Sequence, residues 1–364
     1  MTTIQMNLRD IQGDILRAYG NAYDCTSYAF VKIEDDCPPE RARAWFAGLL
    51  DHVTTAEPWT QGKPLTTLNV ALTAKGLEAL GVSQVVVNTF AKEFREGMVA
   101  RAGLLGDVGP SAPGDWERGL GTDDAHVLLT INAQETKDHR RALAKMKRAM
   151  KTAGMRVLFQ QDAQLLPGAR EHFGFADGFA QPAIMGASDE KSAGGGVPQR
   201  DGRWRALAPG EFILGYPDED TLIDRKRRLP PAPTDPLGGG GTYMVWRKLH
   251  QDVALWRRTI RQAAARYHDG DEQRLAAKVV GRWPNGAPLV THPNTPGSAF
   301  DAASPDANDF RYGEDLGGRR CPLGAHIRRS NPRDALGNEG KLSMRHRMIR
   351  RGMPYGISSN IAAR

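Results

Sequence analysis

Three short stretches hold side chains whose type and setting suit chemistry. In EHFGFADGFAQP, Glu171 to Pro182, the carboxylate of Asp177 stands before Gly178 and among Phe173, Phe175 and Phe179. Close glycine packing and apolar walls would let a cavity, rather than bulk water, set its protonation, which suits a general acid–base. The local alternative is an Asp-Gly turn in which the carboxylate caps its own backbone. In RRCPLGAHIRRSNPRD, His326 follows Gly324-Ala325 and is flanked by Arg319, Arg320, Arg328 and Arg329. Small residues let a flat ligand approach the backbone, and clustered arginines suit carboxylates or phosphates. In HRMIRRGMPYG, a strand puts Met348, Arg350 and Gly352 on one face and Arg347 and Arg351 on the other. Arg350 is then expected to point inward, where it needs an anionic partner or a cavity.

Other histidines have plainer readings: His52 ends a helix, His126 starts a strand, and His139 and His250 lie on or near charged helical faces. The spacing from Cys321 to His326 is not that of covalent haem attachment. No second His or Cys nearby completes a tetrahedral zinc set. A single imidazole among arginines is what a haem iron and its propionates would require.

The elements that must position these residues show in the hydrophobic periodicity. Thr26 to Glu34, Thr66 to Thr73, His126 to Ala133 and Met155 to Gln161 read as strands, while Pro39 to Val53 and Glu135 to Ala153 read as helices. The order βαββαβ is the ferredoxin-like split arrangement, interrupted by an inserted loop from Gly97 to Asp124. Turn formers dominate Lys191 to Gly241. Beyond them a strand (Gly241 to Leu249), a helix (Gln251 to Tyr267) and a strand within His346 to Gly356 are expected. The expected division is a ferredoxin-like unit over 1–165, a connecting region with the Asp177 loop over 166–240, and an incomplete second unit over 241–364.

The 364 residues carry a net charge of +7, with clusters at Arg225 to Pro230 and in the last third. Those late arginines alternate with apolar residues, so ordered structure is expected rather than a basic tail. A nucleic-acid-binding protein is the rival from another class. However, the third strand, HVLLTINA, lacks the stacking aromatics of an RNA-recognition fold. No apolar stretch approaches a membrane span, the N-terminus has no export signal, and Cys25, Cys37 and Cys321 give no disulfide framework, so the expected location is cytoplasmic.

GFADGFAQP, CPLGAHIRRSNPRD and HRMIRRGMPYG together resemble the distal-aspartate, proximal-histidine and distal-arginine segments of the dye-decolourising peroxidases. DIQGDILRAYG, NVALTAKGLEALGV, GEFILGYPDE and GTYMVWRKLHQDV resemble further stretches of that family in the same order. The resemblance implies an α+β fold of two ferredoxin-like domains of the dimeric α+β barrel type, the second incomplete in this chain, which is expected to be C-terminally truncated. It implies non-covalent haem b on His326, with Arg328 as a candidate for a propionate and Gly178 letting the loop approach the macrocycle. Asp177 would move a proton between the oxygens of hydrogen peroxide, and Arg350 would stabilise the charge that grows as the O–O bond breaks. Dyes and phenols would be oxidised at the surface, with Trp246, Trp256 and Tyr355 as candidate electron carriers. Haem handling without turnover, as in a deferrochelatase, is the alternative within the same pocket. No nucleic acid or membrane partner is expected, and a homo-oligomer is left open.

Overall fold

The computed structural model describes residues 5–17, 19, 23–178, 180–187, 193–199, 201–220, 232–234, 236–267, 270–297, 300–301 and 304–356. In Cys25–Ile33, Ala29, Val31 and Ile33 alternate with Tyr28, Phe30 and Lys32, and a chain with that period presents two different faces. It forms β1. Strands β2 (Thr66–Leu72), β3 (Val127–Ala133) and β4 (Met155–Gln164) join it in an antiparallel sheet of order β2-β3-β1-β4. Tyr28 stands opposite Thr130 on β3 and Gln161 on β4. With helix α1 (Pro39–Ala47) after β1 and α2 (Thr136–Thr152) after β3, this is the expected ferredoxin-like unit.

Both helices cover one face of the sheet. Ala42, Leu49, Met150 and Ala153 pack there against Ala29, Val31, Leu129 and Ile131. Val31 and Leu129 are fully buried, each worth about 1.5–3 kcal/mol in transfer free energy. The other face carries Tyr28, Phe30 and Phe159, which surround Trp246 with ring centroids at 5.7, 4.9 and 6.4 Å.

Trp246 belongs to the segment expected as the first strand of the second unit, and here the structure differs from the sequence reading. Residues 241–252 keep a strand's alternation in part: Trp246 and Lys248 turn toward the sheet, whereas Val245 and Leu249 are exposed. They form no ladder. Residues 347–353 are likewise outside any strand. Periodicity fixes only which side chains face inward; a strand also needs a partner chain, and neither segment meets one among the described residues. The first ferredoxin-like sheet is therefore complete and the second unit incomplete in what is described. RKRRLP at 225–230 and the final 357–364 lie outside the described residues.

Loops in the second half are held by arginine in place of sheet hydrogen bonds. Arg282 donates to the carbonyls of Gly286 and Ala307, and Arg333 to those of Asn308 and Phe310, with Phe310 lying against both guanidinium groups. Arg328 donates to the carbonyls of Cys321 and Asp315. All three arginines are buried. Arg328 and Arg333, from the late basic cluster, are thus part of ordered structure.

Helix α3 (Val253–Tyr267) lies where expected, and α4 (Glu272–Val280) follows it. The sequence reading passed over α4, though its signals are local: Asp271 caps Arg274 N, and Gly281 ends the helix at φ 98°.

Candidate active site

The loop bearing Asp177 is a small hairpin built by its own polar groups. Glu171 N donates to Phe175 O and Asp177 N to Ala169 O, both across an Arg170–Ala176 bridge. The Glu171 carboxylate accepts from the amides of Phe173 and Phe175 at 2.9 and 2.8 Å and from Gln251 Nε2 at 2.6 Å. Arg170 Nη1 donates to Gly174 O and Pro284 O. These two residues fix the loop, and the sequence reading missed both. An acid and a base next to each other before a glycine-rich turn were the available signal.

Phe173 and Phe175 do not wall the aspartate. Phe173 stacks on Trp256 of α3 at 4.7 Å, Phe175 meets the same indole edge-on at 6.4 Å, and both anchor the loop to α3 and α4. Asp177 itself is exposed. Close packing does not explain Gly178 either, since a Cβ there would meet nothing within 4 Å; its φ of 93° does. Phe179 lies outside the described residues.

His326 opens the short helix α5 (His326–Ser330), which is packed tightly on α4. A side chain at Gly281 would come within 2.4 Å of Ile327 Cγ1, so glycine there both ends α4 and lets α5 approach. The imidazole is exposed, and Gly324 before it has open space where a Cβ would stand. Arg328 was expected beside a propionate, but it points the other way. Its Nη1 donates to Asp315 Oδ2 at 3.0 Å in a pair in which both side chains are 3% exposed, and its guanidinium lies 4.4 Å from the Tyr312 ring. The reason is geometric. Two residues apart on a helix, side chains lie on nearly opposite faces, so His326 and Arg328 cannot address one ligand.

Arg350 is exposed and lies against the distal loop. Its N–H donates to Gln181 Oε1 at 3.2 Å, its carbonyl accepts from Gln181 Nε2 at 3.1 Å, and its Nη2 donates to Ala180 O at 3.3 Å. The expected division of faces fails: Met348 is 75% exposed, Ile349 packs inward, and Arg347 shares Ala180 O with Arg350. Arg351 donates to the carbonyls of Asp14 and Ile15. The loop thus meets the Arg350 segment through Ala180 and Gln181. A further contact, Ala176 N to Pro284 O, is with the turn just beyond α4, the helix whose C-terminal Gly281 packs against Ile327 of the His326 helix.

Among the described residues no group of three or more His, Cys, Asp or Glu could hold a metal ion. An exposed imidazole next to open backbone fits the single axial ligand that a haem iron takes from a protein. A Ser27–His139–Asp162 group does occur, but Ser27 bonds to both partners and is fully buried, which makes it a packing network rather than a nucleophile.

Residues 10–164 match the family model described as the DyP dimeric alpha+beta barrel domain. Over 367 residues the chain is 32% identical to the multifunctional dye peroxidase DyP2 of Amycolatopsis sp., covering 96% of the chain and 71% of that protein. The chain belongs to the dye-decolorizing peroxidase family. It is 27% identical to the dye-decolorizing peroxidase msp1 of Mycetinis scorodonius, but spans only 65% of that protein's length. Its fold is similar to that of a solved fungal DyP-type peroxidase from Auricularia auricula-judae, with a TM-score of 0.81 and 26% identity, covering 99% of this chain and 77% of that one.

Proposed function

We propose that this member of the dye-decolorizing peroxidase family is a haem-dependent peroxidase that reduces hydrogen peroxide and oxidises bulky organic donors such as dyes and phenols. The observation that carries this reading is that the Asp177 loop is hydrogen-bonded on one side to the Arg350 segment and on the other to the turn beyond α4, the helix on which the His326 helix packs. Donor class is taken from the relatives, which are dye peroxidases by name, and from a solved dye-decolorizing peroxidase of the same fold that holds 2,6-dimethoxyphenol.

His326 would hold the iron through a ring nitrogen. Arg329, one turn on and exposed, shares the imidazole's helix face and takes the propionate role that Arg328 cannot. When bound, haem b supplies the iron at which peroxide is reduced and the oxidising equivalents passed to the donor. Asp177 would take a proton from one peroxide oxygen and return it to the other. Arg350 would stabilise the negative charge developing between them. Trp246, Trp256 and Tyr355 are engaged in packing and hydrogen bonds, Tyr355 through its hydroxyl to Leu249 O, which supports structural roles for them. Three cysteines without a disulfide support a cytoplasmic location, and no described helix is long and apolar enough to cross a membrane. The haem site would fall mainly to residues 241–364, with 1–165 as its support and 166–240 supplying the distal loop.

Replacing Asp177 with Asn keeps the size and removes the base, so dye oxidation with peroxide in acid should fall on the order of a hundredfold or more. Arg350→Leu should also slow it. Full rates in both variants would rule out this distal site, and a wild-type chain that binds haem without oxidising dye would favour haem handling instead.

A further inference from the structure

Arg347 and Arg350 converge on one oxygen. Nη2 of Arg347 donates to Ala180 O at 3.0 Å, and Nη2 of Arg350 reaches the same atom at 3.3 Å. Arg347 has a second hold, from Nη1 to Gly194 O at 3.2 Å. Gly194 is itself locked in the interior, since a Cβ there would lie 1.9 Å from Asn308 O. Ala180 sits at φ 71°, a left-handed conformation costing a residue with a Cβ roughly 1 kcal/mol or more, so something must hold it there.

The two arginines are not equivalent. Arg347 is half-buried and ties Ala180 O to Gly194 O, whereas Arg350 is exposed and its bond to the shared oxygen is the longer of the two. A neutral carbonyl cannot offset two guanidinium charges; burial pushes the Arg347 pKa down to about 10, and the like charge of Arg350 adds to that. An anion arriving beside the loop would attract both groups. Movement of Arg350 toward it leaves the tie of Arg347 between Ala180 O and Gly194 O in place.

We infer that Arg347 is a positioning residue: it anchors Ala180 and, by like charge, disposes Arg350 to leave the shared carbonyl for a small anion at the distal site. The inference deepens the proposed function, because it takes Arg350 as the distal arginine. It makes Arg347 responsible for two separable properties, the rigidity of the loop and the anion affinity of the site.

The test uses the full chain with Arg347→Gln, Arg347→Lys and Arg350→Gln. In haem-free protein, hydrogen–deuterium exchange over residues 171–182 should rise in Arg347→Gln and stay at the wild-type level in Arg350→Gln. In protein reconstituted with haem, fluoride binding followed by absorbance should weaken on the order of tenfold in Arg347→Gln. Arg347→Lys, which keeps the charge, should recover fluoride affinity to within about threefold of wild type. Unchanged exchange in Arg347→Gln, or unchanged fluoride affinity, would overturn the inference. Equal loss of fluoride affinity in the Gln and Lys variants would reduce Arg347 to a scaffold and overturn it too. If the wild-type chain takes up no haem, the peroxidase reading fails, while the exchange measurement still decides whether Arg347 is the anchor.

Discussion

Asp14 shows how a single titrating group is coupled to the segment that bears Arg350. Burial pushes its carboxyl up to about 6 from 3.8, against the opposing pull of Arg351, whose guanidinium caps the Asp14 and Ile15 carbonyls. Because the folded value lies above the unfolded one, the folded chain holds this proton longer. The contribution to stability is complete below about pH 4 and is lost as pH rises through about 6. Asp14→Asn should therefore lose less stability than wild type between pH 4 and pH 6, by about 1–2 kcal/mol after allowing for solvent around a half-buried group, as measured by denaturant unfolding at each pH. At this scale residue types were legible in the sequence and surroundings were not. Asp177, His326 and Arg350 stand on elements joined by hydrogen bonds and packing, but nothing local said that Phe173 and Phe175 would turn to Trp256. The inward turn of Arg328 could have been read from its two-residue offset from His326 on a helix.

Elements divide by whether their cause is local. The helices and the four strands of the first sheet follow from side-chain periods that a sequence displays directly, and their pairing follows from the two faces those periods create. The segments around Trp246 and Arg350 show the limit, since a period of two describes an extended chain equally well with or without a hydrogen-bonded neighbour. Gly281 is where local and tertiary demands coincide, because its positive φ ends α4 and its missing Cβ admits Ile327. Gly281→Ala should cost about 2–4 kcal/mol from combined backbone strain and overpacking, read as a lowered unfolding midpoint. The same variant should weaken haem uptake, because α5 must move to relieve the contact. A midpoint and haem affinity equal to wild type would show that α4 and α5 can separate without disturbing His326.

Across the described residues, a complete ferredoxin-like sheet supports a loop-rich half whose backbone is stapled by buried arginines, which gives part of the basic surplus a structural role. The relative at 32% identity places the chain in its family, and the chain spans 71% of that protein's length and 65% of that of the relative at 27%. The claim on which the account rests is that the exposed imidazole of His326 is an iron ligand. The direct measurement is the absorption spectrum of the purified full chain titrated with haem, compared with that of His326→Ala. The account predicts a Soret band and ferric spin state characteristic of histidine ligation in the wild type, with the band abolished or greatly weakened in the variant. An unchanged Soret band and spin state in His326→Ala would contradict it.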